Sequence, residues 1–387
     1  MANNSNLGAA KKAKSNEFYT QYEDIEREMT AYLEYDENVF RGKTVLLPCD
    51  DPEWSNFTKY FAQNFEMFGL KKLISTSYAV ESKKIDLNWE PTLFETENPN
   101  YDIDKSKTRG KIFVLDRDTT GNCRIDIEDL KWEYLEGDGD FRSEEVKRLR
   151  NEADIIVTNP PFSLFREFLA WIMEAGKKFI IIGHQGAAGY NEVFPLIRDN
   201  FIWLGKGFSG GATHFYSPYQ DTATASDHRE GMIRVSGVVW FTNIEHGRRH
   251  QPLQLMTMAD NIKYSKHKEI KGIGYKQYDN YDAIEVPFSD AIPSDYTGVM
   301  GVPITFLDKY NPEQFQIIGI TKSIFKLASK IYPEQIQVSK DGSESRVTKL
   351  NDGPVIKLSE PPVGQTYYKV ADEYFIQLYT RILIKKK

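Results

Sequence analysis

Ala153-Asp154-Ile155-Ile156-Val157-Thr158-Asn159-Pro160-Pro161-Phe162, continuing through Ser163 to Met173, decides how this chain is read. Ile155, Ile156 and Val157 form a short apolar β-branched run, the pattern of a parallel strand covered on both faces. Pro160 and Pro161 then remove two backbone donors and fix φ, so the chain continues there neither as strand nor as helix. Ser163 is placed as an N-cap, and Leu164, Phe165, Phe168, Leu169, Ile172 and Met173 recur at helical spacing until Gly176. The stretch therefore predicts a buried strand, a stiff polar corner and a helix.

That corner has a definite chemistry. An amide side chain at Asn159, a carbonyl at Pro160 and an aromatic ring at Phe162 suit a planar group bearing an exocyclic NH2. Two acceptors draw the amine out of conjugation with the ring and free its lone pair to attack an electrophilic methyl group in line. The plain alternative is an ordinary turn built of turn-forming residues. A strand directly before it and a helix directly after it favour the functional reading.

The 387 residues are 40% hydrophobic and 13% aromatic, enough to bury one large core and a smaller appended one. No run of eighteen apolar residues and no signal-peptide pattern occurs, so an intracellular, cytoplasmic protein without a membrane span is expected. Cys49 and Cys123 make no CxxC pair and the six histidines make no HExxH, so no metal site is assigned. His246 and His250 flank a basic turn, Gly247-Arg248-Arg249. Acidic residues outnumber basic ones, 56 to 49, for a net charge of −7. Phosphate contacts would then depend on local clusters such as Arg142 to Arg150, Lys266 to Lys271 and Lys385 to Lys387.

Residues 1–15 read as a flexible N-terminus. A helix is predicted from Tyr22 to about Tyr35, a strand over Thr44–Leu47, a helix carrying Trp54, Phe57, Tyr60, Phe61, Phe65 and Phe68 that stops at Gly69, and a strand over Leu73–Tyr78. Strand, helix, strand implies a right-handed parallel unit with ligands at the carboxyl ends, which puts Asp50 and Asp51 at a crevice edge. Lys111–Leu115 and Cys123–Ile127 read as a hairpin. Asp138, Asp140 and Phe141 lie in a glycine-punctuated carboxylate loop a short helix upstream of the Asn159 strand. Phe179–Ile182 is a further buried strand, Asn191–Arg198 a short helix, Phe201–Leu204 a strand, and Met232–Val239 a long strand closing the sheet. Gly205 to Gly210 matches GxGxxG, but no helical pattern follows, so no helix N-terminus receives a pyrophosphate. Beyond about residue 250 short β runs dominate: Ile317–Ile320, Val347–Leu350, Val355–Leu358 and Tyr374–Ile384.

Several stretches in one order resemble the EcoRI-type DNA adenine-N6 methyltransferases over nearly the whole chain. They include Glu17-Phe18-Tyr19-Thr20-Gln21, Cys49-Asp50-Asp51-Pro52 with Ser55-Asn56-Phe57, Gly137-Asp138-Gly139-Asp140-Phe141-Arg142-Ser143 and Thr158-Asn159-Pro160-Pro161-Phe162-Ser163. Phe194-Pro195-Leu196-Ile197, Trp240-Phe241-Thr242-Asn243, Tyr278 to Ala283 and Met300 to Thr305 continue the series. The resemblance implies an α/β class I S-adenosylmethionine-dependent methyltransferase fold, Rossmann-like with a mostly parallel sheet, and a smaller mostly β C-terminal region. Residues 16–245 would form the catalytic domain, with 205–230 as a candidate DNA-contacting loop, and 246–387 the target-recognition region.

By the same resemblance Asn159, Pro160, Pro161 and Phe162 are the target-adenine motif, and Tyr19 and Thr20 the methionine-binding motif. Asp138, Asp140 and Phe141 line the cofactor adenine, and Asp50 and Asp51 stand where a glycine-rich loop is usual. The implied cofactor is S-adenosylmethionine and the implied partner double-stranded DNA, with a cognate restriction endonuclease in the same system that is not physically bound. A monomer is expected, because a hemimethylated site offers one adenine at a time. Two departures stand out: the Asp50 loop has no GxG, and His184 and Gly186 occupy positions where asparagines are expected. The corner alone also admits cytosine N4, an RNA base or a protein glutamine amide as acceptor. The two departures motivate a catalytically silent DNA-binding or anti-restriction protein on the same fold.

Overall fold

The structure, a computed structural model, describes residues 20–79, 96, 99–117, 132–208, 212–216 and 232–387. The chain forms two compact units, Met1–Ala187 with Ile202–Gly247, and Ala188–Phe201 with Arg248–Lys387.

The first unit runs α1 (Tyr22–Tyr35), β1 (Thr44–Leu47), α2 (Asn56–Gln63), α3 (Phe65–Phe68), β2 (Lys72–Thr76), α4 (Ile103–Thr108), β3 (Lys111–Leu115), β4 (Trp132–Tyr134), α5 (Glu144–Glu152), β5 (Ile155–Thr158), α6 (Phe165–Glu174) and β6 (Lys178–His184). After an excursion into the second unit it resumes with β7 (Trp203–Leu204), β8 (Ala212–Tyr216), β9 (Met232–Ser236) and β10 (Val238–Thr242). Eight strands pair in the order β4-β3-β2-β1-β5-β6-β10-β7. Parallel pairing joins β2, β1, β5 and β6, while β3, β4, β10 and β7 are attached antiparallel. The sheet is thus mixed rather than mostly parallel: helical crossovers connect the centre, and its flanks are added through direct returns of the chain.

Every residue of β1 and of β5 is buried. Ile155 and Val157 join the core cluster that holds Ile25, Met29 and Tyr32 of α1 and Phe57 and Phe61 of α2. Ile156 points to the opposite face, because successive side chains of a strand alternate. Two covered faces explain why the run shows no polar alternation. Helix α6 buries Phe165, Phe168, Leu169 and Ile172, an i, i+3, i+4, i+7 stripe worth roughly 1.5–3 kcal/mol for each fully buried side chain. A side chain at Gly183 would place its Cβ 2.4 Å from the Phe165 ring, so this glycine makes room for the helix.

Several boundaries differ from the sequence reading. The corner continues as a 3-10 turn over Phe162–Leu164, closed by Leu164 N to Pro161 O at 2.9 Å, so Ser163 lies inside that turn rather than capping α6. The expected long strand over 232–239 breaks at Gly237, whose φ of 71° is left-handed. β9 pairs only with β8 in a two-stranded sheet, whereas β10 enters the large one. A Cβ at Gly237 would stand 3.0 Å from His184 Nε2. The predicted partner strand Cys123–Ile127 lies outside the described residues; β3 pairs with β2 and β4.

In the second unit α7 (Phe194–Arg198) and α8 (Met258–Tyr264) accompany β11 (Ile284–Glu285), β12 (Met300–Pro303), β13 (Phe315–Ile320), β14 (Gln335–Val338), β15 (Glu344–Val347), β16 (Val355–Leu358), β17 (Tyr367–Val370), β18 (Glu373–Gln377) and β19 (Arg381–Lys386). They form a sheet β11-β12-β19-β13 and a sheet β15-β14-β17-β18-β16. Segment 188–201, assigned by sequence to the catalytic domain, packs here instead: Lys322 Nζ donates to Gly189 O at 2.6 Å, and Phe194 meets Phe325 edge-on. The run Tyr374–Ile384 divides into β18 and β19, which serve different sheets. The run Val347–Leu350 becomes the end of β15 and a 3-10 turn over Lys349–Asn351. Among the described residues no helix is long and apolar enough to cross a membrane.

Candidate active site

Parallel β1, β2 and β5 bring their carboxyl ends to one edge of the sheet, where open α/β sheets bind ligands. Asp50 follows β1, Ser77 and Tyr78 follow β2, and Asn159 follows β5. Asn159 Nδ2 donates to Thr20 Oγ1 at 3.4 Å, and Asn56 Nδ2 of α2 donates to Thr20 O at 2.8 Å. The N-terminal motif and the corner therefore meet. Tyr19 lies outside the described residues. Pro160 is buried, and Pro161 and Phe162 are half-buried, with the Phe162 ring packed against the main core.

Asp50 is buried and its carboxylate is held from two sides, Oδ1 accepting from Ser55 Oγ at 2.7 Å and Oδ2 from Thr158 Oγ1 at 2.6 Å. Its main-chain oxygen accepts from Ser75 Oγ at 2.6 Å, and Ser75 shares a 2.7 Å bond with Thr58. Burial pushes the carboxyl up to about 7; the donating hydroxyls of Thr158 and Ser55 oppose that shift and Asp51 adds to it. Burial also pushes the neighbouring Cys49 thiol well above its usual range. Asp51 is half-buried and turns the loop, its Oδ1 accepting from Glu53 N at 2.9 Å and Trp54 N at 3.3 Å. Of the two carboxylates that follow β1, both assigned to the cofactor by the resemblance, Asp50 thus faces the protein interior and Asp51 the loop surface.

The carboxylate loop is set against the end of β2. Ala79 N donates to Asp138 O at 2.8 Å, and a Cβ at Gly139 would fall 2.1 Å from Ser77 O, so only glycine, at φ 82°, allows this approach. Asp138 Oδ1 accepts from Asp140 N at 3.1 Å. Asp140 binds Arg142 through Nη2 at 2.6 Å and Nε at 2.9 Å and receives the Tyr78 hydroxyl at 3.4 Å. Burial, the largest single influence on Asp140, pushes its carboxyl up, but the bonds from Arg142 together hold it below the usual value. Burial and the two aspartates push Tyr78 up to about 12. The Phe141 ring packs edge-on against Phe168 and Trp171, anchoring the loop on α6. Ser55, Tyr78, Arg142 and Thr158 are polar partners of these carboxylates to which the sequence reading gave no such role. Only the position of Ser55 just before an apolar helical run signalled any of them.

The departure at His184 and Gly186 has a physical counterpart. At the end of β6, exposed His184 accepts from Gly186 N through Nδ1 at 3.0 Å, and its ring lies where side chains at Gly186 or Gly237 would press on it. The histidine and the two glycines fit as a set. Gly205-Lys206-Gly207 also has an occupant: Glu28 of α1 accepts from Lys206 N at 3.0 Å and Gly207 N at 2.9 Å. A carboxylate of the protein fills this amide nest, and β8 rather than a helix follows.

Asp51 follows β1, Asp138 and Asp140 lie in the loop bonded to the end of β2, and Thr20 meets Asn159 after β5. The family model described as adenine-specific methyltransferase EcoRI matches residues 6–387. Type II methyltransferase M.EcoRI of Escherichia coli is 41% identical over 84% of this chain and 91% of its own length. Type II methyltransferase M.MpnI of Mycoplasma pneumoniae is 35% identical over 80% of this chain and 83% of its own. Type II methyltransferase M.MgeORF184P of Mycoplasma genitalium is 33% identical over 80% and 84%. No solved structure matches the chain. With this match along its length and a stiff Asn-Pro-Pro-Phe corner at the carboxyl edge of its sheet, the chain belongs to the EcoRI family of adenine-specific methyltransferases.

Proposed function

We propose that the protein methylates N6 of an adenine flipped out of duplex DNA at a specific site, within a restriction-modification setting, on a class I methyltransferase fold. The observation that carries this reading is the corner itself: Asn159 stands at the end of a fully buried strand, between two positions fixed by Thr158 and by paired prolines. S-adenosylmethionine, when bound, supplies a methyl group on a sulfonium centre. Thr20, Asp51, Asp138 and Asp140 would hold it, and Phe141 anchors the loop that carries the last two.

The chain's own residues do the rest. Asn159 Nδ2 is directed to Thr20 Oγ1, which assigns Oδ1 as the acceptor for one adenine N–H; the Pro160 carbonyl accepts the other. Both bonds strengthen as the amine gains tetrahedral character, so they favour the transition state over the ground state. Phe162 stacks on the flipped base and offsets an unstacking cost of roughly a few kcal/mol. Residues 246–387 are assigned to target recognition, with exposed Lys268, Lys271, Lys326, Lys385 and Lys387 supplying phosphate contacts. The candidate DNA-contacting loop 205–230 lies largely outside the described residues.

Transfer of labelled methyl from S-adenosylmethionine to unmethylated duplex DNA, followed by nucleoside chromatography, tests this directly. N6-methyladenine is expected. N4-methylcytosine, or cofactor binding without transfer to any DNA, would overturn it. Asn159→Ala should slow transfer by about 10²–10³-fold while cofactor affinity is retained; a fast Asn159→Ala enzyme would remove the residue from its role.

A further inference from the structure

The main-chain ladder between β1 and β5 stops early. Its registered pairs are Val45 with Ile155 and Leu46 with Ile156, and Pro48 has no N–H with which to extend it. Beyond that point a side chain takes over, because Thr158 Oγ1 donates to Asp50 Oδ2 at 2.6 Å across the same two strands. Asp50 is itself fixed from three directions. Ser55, which also caps α2 through Phe57 N, holds Oδ1; Ser75 of β2 holds the carbonyl; and Asp50 N donates to Thr76 O at 3.0 Å. Thr58, Ser75, Thr76 and Thr158 are wholly buried, where water does not compete and a bond keeps its geometry.

We propose that Asp50 is a positioning residue for methyl transfer: through Thr158 it fixes the Asn159 corner in register with the loop that follows β1. The inference rests on the methyltransferase reading above and assigns Asp50 a different task from direct cofactor contact. Thr158 immediately precedes Asn159, and the next two residues are prolines. A displacement of Thr158 is therefore passed to the Asn159 amide with few torsions to absorb it. An acceptor shifted by about 1 Å can slow a reaction about 10²-fold without changing what binds.

The two tasks separate kinetically. Thr158→Val is nearly isosteric and deletes only the hydroxyl, and Asp50→Ala deletes the acceptor. With the full chain, methyl transfer to duplex DNA and equilibrium binding of S-adenosylmethionine would be measured for each, below both melting transitions. Positioning predicts that both variants lower kcat by about 10–100-fold with cofactor affinity nearly unchanged. It also predicts that the double variant is no slower than either single one, since both remove the same link. Thr158→Ser, which returns the hydroxyl, should recover most of the rate lost in Thr158→Val. A fast Thr158→Val enzyme, or an Asp50→Ala enzyme whose defect is weakened cofactor binding, would overturn the inference. A wild-type chain that transfers no methyl to DNA would overturn the reading beneath it, and the inference with it.

Discussion

A buried carboxylate sits near a strand end in each unit, and the two are satisfied in different ways. Glu285, on the two-residue strand β11, is paired with Arg381 of β19, Nη2 to Oε1 at 2.7 Å and Nε to both oxygens at 3.2 Å, and the Tyr278 hydroxyl donates to it as well. Among the described residues, Asp50 receives only hydroxyls on its carboxylate. A guanidinium neutralises a buried charge and lets a sheet end stay ordered and dry. Hydroxyls orient a carboxylate without cancelling its charge, so the cost of burying Asp50 is not offset by a cation. The pair in the second unit serves the fold, whereas the arrangement in the first orients the strand ends at a cost in stability.

The sharpest way to break this contrast is to remove the cation. Arg381→Met strands Glu285 in a buried position and should destabilise its unit by about 3–5 kcal/mol, read from urea unfolding. Adding Glu285→Gln should restore part of the loss. A loss under about 1 kcal/mol, the range of exposed pairs, would mean the ion pair is not what holds that sheet end.

Glu28 sharpens the contrast with a third arrangement, a buried carboxylate facing main-chain N–H groups and the Tyr32 hydroxyl. It tolerates no extra bulk, because a Cβ at Gly205 would stand 1.9 Å from Oε1. Gly205→Ala should lower stability by about 1–3 kcal/mol, the usual range for overpacking, seen as an earlier thermal transition. An unchanged transition would show that the nest yields easily.

The smallest effect is the pH dependence contributed by Asp50. Its folded value is raised to about 7 from an ordinary 3.8, so the stability it contributes is fully present below the ordinary value and is lost as pH rises through about 7. Besides burial, the groups acting on it are the hydroxyls of Thr158 and Ser55, which lower its value, and Asp51, of like charge, which raises it. Between pH 5 and pH 8 the wild type should lose more stability than Asp50→Asn, which keeps the shape and cannot ionise. Parallel pH profiles for the two proteins would mean that the Asp50 carboxylate is not desolvated as its burial implies.

The local signals in the chain carried much of this site. β-branched residues on two covered faces, two consecutive prolines and a 3.6-residue apolar stripe follow from covalent neighbours, so strand, corner and helix at 155–174 were legible in order. The helix over Tyr22–Tyr35 and the strands over Thr44–Leu47 and Val355–Leu358 were equally plain for the same reason. What lay between distant residues was not legible. Thr158 meets Asp50 across 108 positions and Asn159 meets Thr20 across 139, and nothing in a serine or threonine's neighbours says which carboxylate it will serve.

Tertiary structure alone decided that Asp50 faces inward and Asp51 does not. It also decided that Gly237 splits an apparently continuous strand, that residues 188–201 pack with the second unit, and that a carboxylate from α1 fills the Gly205 nest. The physical reason is common to all four. Periodicity and backbone stereochemistry are fixed by adjacent residues, but the partner of a buried polar group, and the space left for a side chain, depend on what the rest of the chain brings alongside.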